Sequence, residues 1–226
     1  MLEAIVLAGG LGSRLKGVVP DLPKPMAPIK DKPFLQLLLE SLAKKGFGRV
    51  VISVGYMAEK ILNYFGESFN GIEIVYSHES KRLGTGGAIK LAMKKISQDH
   101  VYVLNGDSYI NFNTFVIEKM WKNYKDPIIV TAFMKNVSRY GAITHKDGIL
   151  ETFSEKGLNE CGFINAGCYI LGVNFYKRFT EDIFSFENWL IANKGSIKIR
   201  LYFEESQFID IGIPEDYCKA QVFKFI

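Results

Sequence analysis

The sequence predicts an α/β fold: a mostly parallel mixed sheet with helices on both faces, running into an α+β second half. Three observations carry this. Short apolar runs alternate with helix-period segments through roughly the first 135 residues, the pattern of successive βαβ units. Beyond that point strand-like pieces cluster with few helices between them. Of the 226 residues, 48% are hydrophobic and 23% charged, enough apolar side chains to fill a real core in one large unit.

The first strand is Ala4–Leu7, an unbroken apolar run. Residues 34, 35, 38, 39 and 42 are apolar, which is helical spacing, so Phe34–Lys45 reads as a helix that Gly46 can end. Val50–Val54 is the next strand. A helix over Met57–Phe65 stops at Gly66, and Ile72–Tyr76 follows as a strand. Thr85–Ile96 is a helix, Val101–Leu104 a strand, Asn113–Asn123 a helix and Ile128–Phe133 a strand. In the second half, strands are expected at Gly141–Thr144, Ile149–Phe153 and Phe163–Leu171. A last strand, Gln207–Ile211, precedes a helix opened by Pro214.

The net charge of +4 is spread over 28 basic and 24 acidic residues. The interleaved signs argue against a nucleic-acid stripe but allow a local anion site. Cys161, Cys168 and Cys218 form no CxxC pair and leave an odd count, which predicts free thiols in a reducing cytoplasm. Met1 leads into a strand without the charged region of a secretory signal. No apolar run nears the ~18 residues of a membrane span.

The chemistry starts at "AIVLAGGLGSRL", Ala4 to Leu15. A strand ending in a glycine-rich turn lets backbone N–H groups approach an anion closely. A Walker A loop would need GxxxxGK[ST], which is absent. A dinucleotide fingerprint would need a third glycine, but position 15 is leucine, and the acid expected about 20 residues on is replaced by "PKPMAPIKDKP". What remains is a long loop aiming Arg14 and then Lys24 at phosphates, which suits a triphosphate. A tight turn with a solvated arginine is the bland alternative.

"LAGGLGSRL" followed by "LPKPMAPI" resembles the signature of the sugar-1-phosphate nucleotidyltransferases. "LGTGGAI" (Leu83–Ile89), "NGDS" (Asn105–Ser108), "RYGAI" (Arg139–Ile143), "SEK" (Ser154–Lys156), "INAGCYI" (Ile164–Ile170) and "IDIGIPEDY" (Ile209–Tyr217) follow in the family's order over nearly the whole chain. The short chain and "KPFLQLLLESLAKKGF" look most like the D-glycero-D-manno-heptose 1-phosphate guanylyltransferases. The resemblance implies a Rossmann-like, glycosyltransferase-A-like sheet in one domain. Its nucleotide-binding part would span about 1–135, its sugar-binding part about 136–206, and a closing strand and helix 207–226.

It also implies the site. Leu7, Ala8, Gly9, Gly10, Gly12, Gly84, Thr85 and Asp107 would bind the nucleotide, with Glu79 reading the base. Arg14 and Lys24 would offset phosphate charge, Lys24 being aimed by the restricted backbone of Pro23 and Pro25. Asp107 and Asp210 would hold Mg²⁺, a hard cation suited to carboxylates and phosphate oxygens. Lys156 would meet the sugar phosphate, Glu155 and Asn165 the sugar hydroxyls, and Gly141 and Gly167 would admit the ring close to the backbone. In the related thymidylyl enzymes a glutamine occupies the spacing of Glu79. A carboxylate there can only accept, which matches the adjacent N–H donors of guanine and favours GTP.

Other readings stay open: UTP, CTP or dTTP as nucleotide, another sugar, a non-catalytic sugar-nucleotide sensor, or an NAD-dependent oxidoreductase. A homo-oligomer is allowed. His78, His100 and His145 have no metal-ligand spacing, the cysteines read as buried packing, and Trp121 and Trp189 as packing anchors.

Overall fold

The computed structural model describes residues 1–140, 142–153 and 161–225. Strand β1 (Leu2–Leu7) leads through a long loop to a small hairpin, β2 (Pro28–Ile29) and β3 (Lys32–Pro33), and to α1 (Phe34–Lys44). Next come β4 (Phe47–Val54), α2 (Ala58–Phe65), β5 (Ser68–Phe69), β6 (Ile72–His78), α3 (Gly84–Met93) and β7 (His100–Asn105). The chain continues through β8 (Ser108–Ile110), α4 (Thr114–Tyr124), β9 (Ile128–Met134), β10 (Ile143–Lys146), β11 (Ile149–Phe153) and β12 (Gly162–Gly172). It closes with α5 (Phe186–Asn193), β13 (Arg200–Glu204), β14 (Phe208–Asp210) and α6 (Pro214–Ala220).

Ten strands form one mixed sheet in the order β10-β11-β13-β9-β12-β7-β1-β4-β6-β5. β1 pairs in parallel with β4 and β7, and β4 with β6, the arrangement expected of successive βαβ units. β12 runs antiparallel between β7 and β9 and joins the two halves. Alternation along β1 sends Ala4 and Val6 into one core and Ile5 into the other, all three fully buried. The first core takes Leu35, Leu39 and Leu42 of α1, Ile61 of α2, and Ile117 and Trp121 of α4. The second takes Ile89 and Met93 of α3 with Phe186 and Leu190 of α5. Each such side chain contributes about 1.5–3 kcal/mol by leaving water.

The helix ends follow local chemistry. Asn113 caps α4 by accepting from the Val116 N–H at 3.3 Å, and Ser185 caps α5 by accepting from the Asn188 N–H at 3.3 Å. Pro214 stands in the first turn of α6, where its missing N–H costs nothing.

At the N-terminal end of β1 lies a buried carboxylate. Glu3 accepts from the Ser97 N–H at 2.9 Å, the Ser97 hydroxyl at 2.7 Å, the Gln98 N–H at 3.0 Å and Arg49 Nη1 at 3.1 Å. Burial alone would raise its pKa, but these donors outweigh it and the carboxyl sits below its ordinary value.

The structure differs from the sequence reading in places. β13 was not expected; it joins the sheet beside β9 in parallel, and its alternating Arg200, Tyr202 and Glu204 hide the apolar face. Nor was α5, whose burial depends on partners in α3 that lie far away in sequence. Met57 does not continue a helix but precedes α2 with φ 52°. α3 begins one residue earlier than predicted and ends at Met93.

Candidate active site

A cavity of about 590 Å³ opens beyond the C-terminal ends of β1 and β7, the usual place for a ligand in such a sheet. Leu7, Ala8, Gly9, Gly10, Gly12 and Arg14 line it from the loop after β1, together with Lys24, Glu79, Gly84, Thr85 and Asp107. The loop is anchored at its root: the Ala8 N–H donates to the Ser53 carbonyl at 2.8 Å. Gly12 adopts φ 58°, and a Cβ there would lie 2.8 Å from Lys24 Cβ, so glycine lets the loop cross Lys24 closely. Leu15 is 2% exposed: it plugs the loop into the core instead of opening a dinucleotide helix. Lys16 Nζ lies 4.8 Å over the Tyr56 ring and ties the loop's far side down.

Lys24 opens a short 3₁₀ turn between Pro23 and Pro25, and its ammonium donates to Asp107 Oδ2. Asp210, remote in sequence, reaches the same spot because β14 pairs with β8, setting Asp210 opposite Ser108. The Ile211 N–H then donates to the Asp107 carbonyl at 2.9 Å. Asp210 Oδ1 accepts from the Gly212 N–H. Burial pushes the Asp210 carboxyl up, the charge of Asp107 pushes it further, and Lys24 only partly offsets them. The pair therefore carries uncancelled negative charge, which fits a hard divalent cation. Arg14 makes no ion pair among the described residues.

At the other end of the cavity, Glu79 Oε1 accepts from the Ser53 hydroxyl and Oε2 from the Leu83 N–H, each at 3.2 Å. Its carboxylate presses on Gly9, where a Cβ would collide with Oε1. Gly84 sits at φ 71°, and a Cβ on it would strike the Phe184 carbonyl oxygen. The segment before α5 docks here: the Phe184 N–H donates to the Leu83 carbonyl and the Gly86 N–H to the Phe184 carbonyl, both at 3.0 Å. Sequence reasoning missed this wall, including Ile183, which lines the cavity and is 54% exposed. It also missed Asn105, Arg82 and Gly212 in the lining. "NGDS" carried a signal for Asn105; nothing local marks Ile183.

On the sugar side, Asn165 and Gly167 lie at an irregularity in β12, with Gly167 packed on the Asn105 side chain at the cavity edge. Neither lines the cavity itself. Gly141, Glu155 and Lys156 lie outside the described residues. Arg139, for which the motif reading assigned no role, pairs with the buried Asp216 of α6. Only Cys168 is a buried thiol; Cys161 and Cys218 are exposed, because they sit on the surface of β12's approach and of α6. Among the described residues no group of three His, Cys, Asp or Glu side chains is arranged to hold a metal, so the Asp107–Asp210 pair stands as a two-carboxylate arrangement. None of the described helices is long and apolar enough to cross a membrane.

The fold and this glycine-lined, carboxylate-bearing cleft define a nucleotidyl transferase, and the chain belongs to that family: the nucleotidyl transferase model matches residues 3–224. Among its relatives is the D-glycero-alpha-D-manno-heptose 1-phosphate guanylyltransferase of Campylobacter jejuni, 41% identical over 96% of this chain and 97% of that one. The enzyme of the same description from Aneurinibacillus thermoaerophilus is 41% identical over 97% of each chain. HddC from Yersinia pseudotuberculosis superposes with a TM-score of 0.89 at 37% identity, covering 98% of this chain and 99% of that one; it is also known complexed with GMP-PN.

Proposed function

We propose that this chain transfers the guanylyl group of GTP to D-glycero-α-D-manno-heptose 1-phosphate and releases pyrophosphate. The observation that carries this reading is the 41% identity, over nearly the full length of both chains, to guanylyltransferases of that substrate. The cavity supports it by combining a glycine-rich loop, two cations and Asp107, with Asp210 next to it, at one end and a lone carboxylate at the other.

The reaction is an in-line displacement. A phosphate oxygen of the sugar 1-phosphate bonds to the α-phosphorus of GTP as the bond to the bridging oxygen of pyrophosphate breaks. The nucleophile is already anionic, so catalysis rests on positioning and charge cancellation. In this reading Lys24 leaves Asp107 to meet the α-phosphate, where charge develops, and Arg14 meets the β- and γ-phosphates. The backbone N–H groups of the loop after β1 cradle the triphosphate. Asp107 and Asp210 would hold Mg²⁺, which supplies Lewis-acid cancellation of charge on the α-phosphate and the leaving group. Glu79 accepts from the guanine edge. Lys156 and Glu155 would meet the sugar, as would Asn165 and Gly167. The chain acts as one unit, with nucleotide and sugar parts meeting at β7 and β12. GTP as substrate and free thiols fit the cytoplasm.

The test is a panel of GTP, UTP, CTP and dTTP against heptose, mannose and glucose 1-phosphates, read by pyrophosphate release. GTP with the heptose should give the highest kcat/KM. A pyrimidine nucleotide or another sugar in first place overturns the corresponding half of the reading.

A further inference from the structure

A carboxylate that the phosphate chemistry does not use stands between the two halves of the site. Glu187 lies in the first turn of α5. Its Oε2 accepts from the Thr85 hydroxyl at 2.7 Å and the Ser185 hydroxyl at 2.8 Å, and its Oε1 accepts from the Tyr169 hydroxyl at 3.3 Å. We propose that Glu187 is a positioning residue of the active site: its carboxylate fixes the hydrogen-bond polarity of Thr85 on the nucleotide side and of Asn165 on the sugar side. The assignment of the two sides rests on the function proposed above.

The argument is one of donor and acceptor counting. A carboxylate only accepts, so all three hydroxyls must spend their single hydrogen on it. Tyr169 is 1% exposed, so its hydroxyl has no water to turn to. Burial, reinforced by the charge of Glu187, drives its pKa far up and keeps it a neutral donor. Its oxygen is then available only as an acceptor, and it accepts from Asn165 Nδ2 at 2.8 Å. That sets the flip of the Asn165 amide: Oδ1 faces the Gly167 N–H and accepts from it at 3.0 Å. Asn165 is left with one N–H and one lone pair in fixed directions, the pair a sugar hydroxyl can use. Thr85 is polarised in the same way. Its oxygen accepts from the Phe186 N–H at 2.9 Å while its hydrogen goes to Glu187, so it can offer the cavity only a lone pair. Since Thr85 lines the cavity and Gly167 packs on Asn105, which also lines it, one carboxylate orders both walls.

The two wires can be cut separately. The assay measures KM for GTP and for the sugar 1-phosphate that the wild type turns over, with Tm alongside. Which sugar that is tests only the function reading. Tyr169→Phe keeps the ring but disconnects Asn165; it should raise the sugar KM about tenfold, the loss of one ordered hydrogen bond, and leave the GTP KM within about twofold. Thr85→Val should do the reverse. Glu187→Gln keeps one acceptor, which faces the two hydroxyls of Thr85 and Ser185, and turns a donor toward Tyr169, so it should raise the sugar KM and spare the GTP KM; adding Tyr169→Phe to it should raise the sugar KM no further, because both changes cut one wire. A purely structural role would lower Tm without this split. Equal or absent KM effects in the two single variants, or additive effects of Glu187→Gln and Tyr169→Phe on the sugar KM, overturn the proposal. If Glu187→Gln does not fold, the split between Tyr169→Phe and Thr85→Val decides alone.

Discussion

Replacing Glu79 with glutamine should move base preference away from guanine. The carboxylate already spends one lone pair of each oxygen inside the protein, on the Ser53 hydroxyl and the Leu83 N–H. An amide can satisfy the same two neighbours in only one way. Its oxygen must face the Leu83 N–H, which cannot accept, while its nitrogen faces Ser53, whose hydroxyl can turn to accept. The fold contacts survive, so Tm should shift little. The nucleotide loses more. Guanine offers N1–H and N2–H₂ side by side, and one of the two acceptors meeting them becomes a donor. A charge-assisted hydrogen bond of this kind is worth roughly 1.5–3 kcal/mol, so kcat/KM for GTP should fall about tenfold to a hundredfold. UTP and dTTP, whose ring N–H lies between two carbonyls, gain from the same swap. Steady-state pyrophosphate release with GTP, UTP and dTTP gives the ratio directly. An unchanged GTP-to-UTP ratio would refute Glu79 as the base reader and leave its carboxylate a strut between Ser53 and Leu83.

Asp107→Asn keeps the size and removes a charge from the pair with Asp210, so turnover should fall by orders of magnitude with the fold intact; EDTA on the wild type should do the same, and full activity of the variant in Mg²⁺ would sink the metal assignment. Gly84→Ala forces a Cβ into left-handed backbone, about 1–2 kcal/mol by itself, and against the Phe184 carbonyl. The segment before α5 should lose its dock, lowering Tm and raising the GTP KM together; movement of neither argues against the dock. Glu3→Gln should destabilise at neutral pH by about 1–3 kcal/mol, because the buried acceptor of four donors loses its charge, while Arg49 keeps Glu73. The folded Glu3 pKa lies below its ordinary 4.5, so its stabilisation is present above that value and drains away as pH falls. The gap between wild type and variant in denaturant midpoint should therefore narrow as pH falls below 4.5; a constant gap from pH 7 to pH 3 contradicts the assignment.

How far the site was legible depended on whether its signals were local. β1, β4, β6 and β7 were readable because each is a short apolar run bounded by turns. Placing Lys24 needed only its flanking prolines. The meeting of Asp107 with Asp210 was not readable from spacing; it depends on the β8–β14 ladder, which joins two three-residue strands that carry almost no pattern. The wall built by residues 182–187 was invisible for a further reason. Its binding partner, the "LGTGG" stretch at the start of a predicted helix, resembles a nucleotide-binding segment, which accounts for its glycines by the ligand alone. In the structure Gly84, Gly86 and Gly87 are small because the protein's own chain lies on them: added Cβ atoms would strike the Phe184 carbonyl, the Phe184 ring and the Asp182 carbonyl. The same glycines leave Gly84 and Thr85 facing the cavity. A glycine-rich segment can thus be required from both sides at once, by the ligand it admits and by the backbone that must dock before any ligand binds. Those two requirements separate in the variants: a Cβ at Gly86 or Gly87, away from the cavity lining, removes the dock alone, so its effect on GTP measures how much of nucleotide binding is in truth the docking of α5.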